Sequence, residues 1–311
     1  MGLDNLNPGR YLATVFVADV SEGTTQNGAP FLGVTLLGKK PNSGKIIAKV
    51  WNCRSVDFPP IGSFIQAHLE VKPYNNSISY VVKGFNVLTE EENIEDYLIM
   101  PPIPREEMYN YMIQACNLWK SESLRTLVFY ILQKYNNKFM WNAAAKTIHH
   151  TCIGGLLWHS YRMLKMAVNN RDLYVGCNTD LIEAGCILHD IGKVKELDTS
   201  IMGVTEYTKD GVLFGHLLLG CEIVTSAWRD LCFPENSEEL MCLKHIIASH
   251  HSKREYGAIA IPAIKEALIV SQLDSMDAKS YQFDEESQKI SPGEVSGKIF
   301  GLDTKIYRPD Y

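Results

Sequence analysis

The sequence predicts a multidomain protein of α and β structure, in which a small five-stranded β barrel precedes an all-α domain. Three observations predict this architecture. β-rich runs between turn-forming residues fill residues 10–88, helical spacing of apolar residues dominates from residue 105 onward, and an acidic, proline-rich stretch separates the two regions. A chain of 311 residues is also long enough for two domains. We therefore expect a barrel domain over residues 1–88, a linker over 89–104 and a helical domain over 105–311.

The barrel is predicted by five β-rich runs, which include GKIIAKVWN and SISYVVKGFNVL. Turn formers such as Asn27-Gly28 separate the runs, and five strands in about 80 residues fit a small closed barrel such as the OB-fold. OB-folds bind single strands by stacking bases on exposed aromatic side chains beside basic groups. Aromatic residues in strands are more often part of the core, so this remains one of two interpretations. The candidate nucleic-acid contacts are Phe31, Trp51, Tyr74, Tyr80 and Lys49, with Trp51 and Tyr74 favoured because each lies at a strand end.

Charge and cysteine content restrict the class of protein. Residues 1–88 carry a net charge of +3 within a chain of net charge −6, which disfavours tight non-specific duplex binding but permits single-strand binding. Eight cysteines without a CxxC pair predict reduced thiols and a cytoplasmic location. No apolar run approaches the roughly 20 residues of a membrane span, so no membrane partner is expected. The sequence does not determine the oligomeric state, and a homo-oligomer is one open alternative.

The helical domain is predicted from apolar residues at three- and four-residue spacing, as in SESLRTLVFYILQKY, where Ser121 is expected to cap the helix start. The adjacent pair His189-Asp190 lies in another apolar segment. A charged carboxylate there is costly to bury unless it is paired, and a metal ion would remove that cost. The alternative is a polar helix end with Gly192 as its C-cap and Lys193 near the helix dipole.

The distribution of histidines favours the metal site over the helix end. Eight of the nine histidines lie between residues 149 and 251, most of them in apolar helical segments. Asp274 and Asp277 lie in a further apolar segment. Surface histidines would fall in polar loops, so this pattern predicts a metal site assembled from several helices of a bundle.

The order His159, His189-Asp190, Asp274 resembles the H…HD…D signature of the HD-domain phosphohydrolases. The segments NGAPFLGVTLLGKKPNSGKIIAKVWN, HHTCIGGLLWHS, ILHDIGKVKEL, GVLFGHLLLG and IIASHH resemble, more specifically, the YhaM-type 3′→5′ exoribonuclease family. That family joins an N-terminal OB-fold to a C-terminal HD domain, and the resemblance covers nearly the whole chain. It also implies that the C-terminal tail wraps the HD domain and borders the active site.

The resemblance implies two divalent metal ions. His159, His189, Asp190 and Asp274 would hold the first, and Asp190 would bridge to the second, which His216, His250 and His251 would hold. Whether Asp277 replaces Asp274 as a ligand is left open. A mixed histidine and carboxylate set suits Mn best, with Fe, Co or Ni as alternatives, whereas Mg prefers oxygen ligands.

The resemblance also implies two catalytic residues, Asp190 and Lys193, the latter in contact with the substrate phosphate. His149 and His150 are expected either to contact the substrate phosphate or the metal-ligating side chains, or to cap the start of a helix. His245 is expected to be structural.

The function implied is metal-dependent 3′→5′ exonuclease hydrolysis of single-stranded RNA, with DNA left open, to nucleoside 5′-monophosphates. Two alternatives remain. One is a phosphohydrolase of a small cyclic nucleotide, although no GYP-type motif follows the HD pair. The other is a non-catalytic single-strand-binding protein with a relic metal site, although no predicted ligand is missing.

Overall fold

The computed structural model describes residues 2–25, 27–40, 44–74, 77–89, 92–98, 100–144, 152–200, 205–299 and 301–311. These residues form two compact units. The first is built mainly from Met1–Met100, and the second from Pro101–Thr199 and Thr205–Tyr311.

The first unit is a closed five-stranded barrel with the strand order β1-β2-β3-β5-β4. This is the order of an OB-fold, and it confirms the predicted fold class. All five predicted β-rich runs form strands, and their bounds are β1 Gly9–Thr24, β2 Pro30–Gly38, β3 Lys45–Trp51, β4 Phe64–Tyr74 and β5 Ser77–Val87.

The barrel closes because β1 is long enough to pair with two neighbours. Its first half is antiparallel to β4 and its second half is antiparallel to β2, with a bulge between Val17 and Asp19 that lets the strand bend. On β3, Ile46, Ala48 and Val50 point into the core, while the residues between them face outward. The alternation of the sequence therefore fixes which side chains of β3 form the outer surface.

Residues 92–98 of the predicted linker belong to the first unit, whereas the second unit begins at Pro101. Tyr97 is fully buried, and its ring centre lies 5.1 Å from that of Phe64. Glu92 forms an ion pair with Lys39 at 2.5 Å, and the Lys40 backbone N–H donates to the Asp96 carbonyl. One acidic side chain of this segment, Glu92, therefore pairs with a lysine just after β2, and a backbone hydrogen bond adds a second contact there.

The second unit is a helical bundle with two short β hairpins. Ser121 caps the start of α2, as predicted, by accepting a hydrogen bond from the Leu124 N–H. The hairpins, absent from the sequence-based expectation, pair β6 with β7 and β8 with β9. The elements are α1 Arg105–Cys116, α2 Glu122–Lys134, α3 Asn136–Trp141, α4 Gly155–Asn169, α5 Thr179–Leu188, α6 Lys193–Glu196, β6 Leu197–Thr199, β7 Thr205–Tyr207, α7 Lys209–Asp230, α8 Glu238–Ser249, α9 Lys265–Ser287, β8 Val295–Ile299 and β9 Thr304–Tyr307.

Two glycines shape the centre of the bundle. Gly192 has right-handed helical angles and precedes α6, so it is not the left-handed C-cap of the alternative interpretation. A Cβ atom on Gly192 would lie 1.9 Å from the His216 carbonyl oxygen, because α7 crosses directly against it. Gly215, with φ 68° and ψ 160°, kinks α7 immediately before His216. The two glycines therefore bring α7 close to the His189-Asp190 turn.

The helix α7 is long and apolar enough, by length and composition alone, to cross a membrane. It is, however, kinked at Gly215, and Ile223, Val224 and Trp228 in its second half pack in the core of the bundle. These contacts explain its apolar composition.

The C-terminal segment differs in part from expectation. The sequence after Tyr281 shows little periodicity, yet α9 continues to Ser287 before the β8–β9 hairpin follows. The Arg308 guanidinium donates to the Ser287 and Ile290 carbonyls and fixes the hairpin to the end of α9.

Candidate metal centre

The structure brings the seven residues predicted as ligands into one cluster. They come from five places in the bundle, and most of the side chains are buried. His189 is the C-cap residue of α5, and His250 is the C-cap residue of α8, so two helices end at the cluster. The residues are His159 on α4, His189 and Asp190 after α5, His216 on α7, His250 and His251 after α8, and Asp274 on α9.

Asp190 lies at the middle of the cluster, with its two carboxylate oxygens facing different histidines. Oδ2 lies 3.3 Å from His189 Nε2 and 4.0 Å from His159 Nε2. Oδ1 lies 3.4 Å from His216 Nε2 and 3.5 Å from His250 Nε2. Oδ1 is buried and accepts no hydrogen bond within the described part of the chain. A buried carboxylate oxygen in this state is costly, and a cation would satisfy it.

The remaining residues divide into two groups on either side of Asp190. His159, His189 and Asp274 place one ligand atom each within 4.8 Å of one another, and so do His216, His250 and His251. His159 Nε2 lies 3.2 Å from Asp274 Oδ1, and His216 Nε2 lies 3.3 Å from His251 Nε2. These two groups correspond to the two predicted ligand sets, and a third group, His189, Asp190 and His250, joins them.

The Nδ1 atoms explain why the Nε2 atoms can act as ligands. Nδ1 of His189 lies 3.2 Å from the Cys186 carbonyl, and Nδ1 of His250 lies 2.9 Å from the Ile247 carbonyl. A carbonyl can only accept, so Nδ1 carries a proton in each ring, and Nε2 is the ring nitrogen that could bind a metal ion in the cluster.

Two acidic residues have the same function for His216 and His159, whereas Nδ1 of His251 has no hydrogen-bond partner among the described residues. His216 Nδ1 lies 3.1 Å from Glu196, and His159 Nδ1 lies 2.7 Å from Asp277. Asp277 also pairs with the Arg162 guanidinium at 2.5 Å. Asp277 therefore contacts the Nδ1 side of His159, whereas Asp274 contacts its Nε2 side. No sequence pattern predicts the Glu196 contact, but the spacing of Asp277 three residues after Asp274 predicts that both lie on one helix face.

Lys193 has a partner that the sequence did not suggest. Its ammonium lies 2.7 Å from Oδ2 of Asp190, which precedes it by three residues in the chain. Burial alone would raise the pKa of Asp190, but Lys193 and His189 hold it well below its usual range. Burial would also lower the pKa of Lys193, but Asp190 raises it. Both groups are therefore charged, and Lys193 lies between the cluster and the adjoining cavity.

Neighbouring charges decide the protonation of two further histidines. Burial would lower the pKa of His159, but hydrogen bonds to Asp274 and Asp277 raise it to about 10. Burial, together with His250 and His216, lowers the pKa of His251 to about 4. His251 is therefore neutral near pH 7, as a metal ligand must be, whereas His159 carries a proton beside its two carboxylates that a bound metal ion would displace.

A cavity of about 550 Å³ opens beside the cluster. Asp190, Lys193 and Asp274 line its inner end, and Gly301 of the C-terminal segment lines it as well. The tail thus borders the candidate site, as the resemblance implied.

The predicted contacts on the barrel fall into two groups. Phe31 and Trp51 are cross-strand neighbours on β2 and β3, with ring centres 5.3 Å apart. The Lys49 ammonium lies 5.4 Å from the Phe31 ring centre and 5.0 Å from that of Trp51. These three side chains form one outward surface, whereas Tyr74 lies at the β4–β5 end and the Tyr80 hydroxyl donates to the Asp4 carbonyl.

The other histidines lie apart from the cluster or are not described. His149 and His150 lie outside the described residues. His245 Nε2 accepts a hydrogen bond from the Ala263 N–H at 2.8 Å, which is a structural contact.

Comparison with known proteins places these features in a family. The model of the HD domain matches residues 156–279, the range that holds every residue of the cluster. Among solved structures, the second OB-fold domain of replication protein A from Methanococcus maripaludis is 18% identical, with 30% of this chain and 98% of that chain covered. Its TM-score of 0.23 is too low to support any argument.

Relatives of similar length give the decisive match. The 3′-5′ exoribonuclease YhaM of Bacillus subtilis (strain 168) is 32% identical over 303 residues, which cover 96% of this chain and 94% of that protein. The YhaM of Listeria monocytogenes serovar 1/2a is 34% identical over 295 residues, which cover 93% of this chain and 92% of that protein. The chain belongs to the YhaM family of 3′-5′ exoribonucleases.

Proposed function

We propose that this protein is a metal-dependent 3′→5′ exonuclease that hydrolyses single-stranded RNA to nucleoside 5′-monophosphates, with single-stranded DNA as a second substrate to be tested. The observation that carries the proposal is Asp190, whose two oxygens face two separate groups of histidines. The 3′-5′ exoribonuclease activity for which the YhaM relatives are named supports the same reaction class.

The two groups of residues fit a pair of divalent ions. His159, His189, Asp190 and Asp274 would hold one ion. Asp190 would bridge to the other, which His216, His250 and His251 would hold. The fit rests on the unpaired Oδ1 of Asp190 and on the anchored Nδ1 atoms, which leave Nε2 available. Imidazole-rich sites suit Mn²⁺, Fe²⁺, Co²⁺ or Ni²⁺ better than Mg²⁺, and Mn²⁺ is the ion that we propose first.

The residues of the chain have separate tasks in this mechanism. A bound pair of divalent ions supplies a hydroxide at neutral pH and neutralises charge on the phosphoryl oxygens. Glu196 and Asp277 hold the rings of His216 and His159 in a fixed orientation. Lys193 exchanges its contact with Asp190 for one with the substrate phosphate, where its positive charge stabilises the transition state.

The barrel would hold the strand upstream of the cleaved linkage. Phe31 and Trp51 offer stacking surfaces, and Lys49 lies within reach of both rings and of a phosphate. Tyr74 is exposed at one end of the barrel and would extend the path, while Tyr80 would contribute through its ring, since its hydroxyl is bonded. Residues 1–88 would thus be the nucleic-acid-binding domain, joined through 89–104 to the catalytic domain 105–311.

Eight cysteines without a disulfide support a cytoplasmic location for this activity, because reduced thiols persist there.

The test is an assay with 5′-labelled single-stranded RNA and Mn²⁺, in which products are separated by length. We expect a ladder that shortens from the 3′ end, and nucleoside 5′-monophosphates as the released product. The Asp190→Ala variant should be inactive, while His68→Ala, a histidine of the barrel outside the cluster, should match the wild type. Intact RNA together with hydrolysis of a cyclic dinucleotide would replace this proposal by the small-nucleotide alternative, and binding without any hydrolysis would favour the non-catalytic one.

A further inference from the structure

The cavity beside the cluster has one wall made by a single face of α9. Five residues of α9 line it, and the last four follow the first by one, four, five and eight positions, which keeps all five on one side of the helix. They are Asp274, Ser275, Ala278, Lys279 and Gln282. Gln282 lies eight residues beyond Asp274, which is about 12 Å along the axis. Because Ser275 and Ala278 are small, they leave space along this wall. The cavity of about 550 Å³ is in the size range of small-ligand sites.

A second part of the cavity lining is a short turn that starts at His251 of the cluster. The Lys253 N–H donates to the His251 carbonyl at 2.7 Å, and the Tyr256 N–H donates to the Lys253 carbonyl at 3.1 Å. Gly257 ends the turn with φ 89°. These bonds place Tyr256 at a fixed position relative to His251. Tyr256 lines the cavity, and 64% of it remains exposed to solvent.

The charges along the cavity favour an anion. The carboxylates among the described lining residues, Asp190 and Asp274, both belong to the cluster, whereas Lys253 and Lys279 line the part beyond it. The Lys253 ammonium lies 5.2 Å from the Tyr256 ring centre and pairs with Glu255 at 3.1 Å. That ion pair is largely exposed and therefore weak, so a phosphate can replace Glu255.

An exposed aromatic ring, two cations and a cavity that begins at a hydrolytic cluster together match one ligand class, the nucleotide. We propose, building on the exonuclease function above, that this cavity binds the 3′-terminal nucleotide, with its base stacked on Tyr256. Lys253 and Lys279 face the charged groups of that nucleotide. Stacking accepts every base, since each has a π face, which suits an enzyme that must remove each nucleotide in turn.

The test compares two proteins on two substrates. The substrates are a single-stranded RNA and the same strand with an abasic 3′-terminal nucleotide, and the proteins are the wild type and Tyr256→Ala. We expect Tyr256→Ala to lower kcat/KM on the normal strand roughly ten-fold, or about 1.4 kcal/mol. The wild type should lose a similar factor on the abasic strand, and Tyr256→Ala should treat the two strands alike. Tyr256→Phe should keep the wild-type values because it keeps the ring. Tyr207→Ala, an equally accessible tyrosine that does not line the cavity, should have no effect.

A Tyr256→Ala variant that prefers the normal strand as strongly as the wild type does would overturn the inference. If the wild type cuts neither strand, the exonuclease proposal fails instead, and binding of adenosine 5′-monophosphate then decides the question of the cavity. If Tyr256→Ala binds adenosine 5′-monophosphate roughly ten-fold more weakly than the wild type, the nucleotide site is supported. An unchanged Kd would contradict it.

Discussion

Replacing Gly192 by alanine should displace the helix that carries His216. The new Cβ would lie 1.9 Å from the His216 carbonyl oxygen and 2.7 Å from the Gly220 nitrogen, whereas ordinary contact begins at 3.4 Å. The α7 backbone must therefore retreat by about 1.5 Å. Metal–ligand distances tolerate only about 0.2 Å, so His216 would lose its ligand position. Overpacking of this kind costs about 1–3 kcal/mol of stability, and the obstructing atoms here are backbone atoms that cannot rotate away.

The assay combines thermal unfolding of the metal-free protein with metal content after reloading. We expect Gly192→Ala to unfold at a lower temperature and to retain fewer metal ions per chain. Gly220→Ala should have an intermediate effect, because its Cβ would approach an Ile247 methyl group at 3.0 Å. Gly297→Ala is the matched control, since among the described residues beyond its chain neighbours no atom lies within 4 Å of its Cβ. A Gly192→Ala protein with the stability and metal content of Gly297→Ala would refute this account of how α7 is placed.

Three further predictions concern single side chains. Lys193→Ala should keep its metal content but lower kcat roughly 10²-fold, and Lys193→Arg should restore kcat only in part. An unchanged kcat in Lys193→Ala would mean that Lys193 serves only its contact with Asp190. Asp277→Asn should weaken metal binding by about 10- to 100-fold through the loss of the charged partner of His159, and metal titration that gives the wild-type affinity would contradict this. Trp51→Ala should weaken binding of single-stranded RNA roughly ten-fold. The control is Val56→Ala, a change at an exposed residue of the same barrel, which should leave the Kd for RNA unchanged. Equal Kd values for the two variants would show that Trp51 does not contact the RNA.

The architecture was largely predictable from the sequence because its signals are local. Alternation on β3 and the turn residues between strands define the barrel, and helical spacing with the Ser121 cap defines α2. The cluster was predictable for a different reason. Histidines and aspartates in apolar helices need a partner for their polar groups, and a resemblance to known motifs supplied the grouping.

The contacts that orient the cluster could not be predicted because they join distant parts of the chain. The carboxylate of Glu196 meets His216 only because α7 is kinked at Gly215 and crosses at Gly192. The packing of Tyr97 on the barrel likewise depends on a hydrophobic site made by separate strands. The last turns of α9 carry few apolar residues, so their helical structure leaves no periodic signal.

The central claim is that Asp190 joins two metal ions, and metal content per chain tests it most directly. The wild type, Asp190→Ala, His216→Ala and the control His68→Ala would be loaded with Mn²⁺, dialysed and analysed by elemental mass spectrometry, with circular dichroism to check the fold. We predict two ions per chain in the wild type and in the control, about one in His216→Ala and none in Asp190→Ala, because the carboxylate of Asp190 faces both groups of histidines. A folded Asp190→Ala protein that retains both ions would contradict the account.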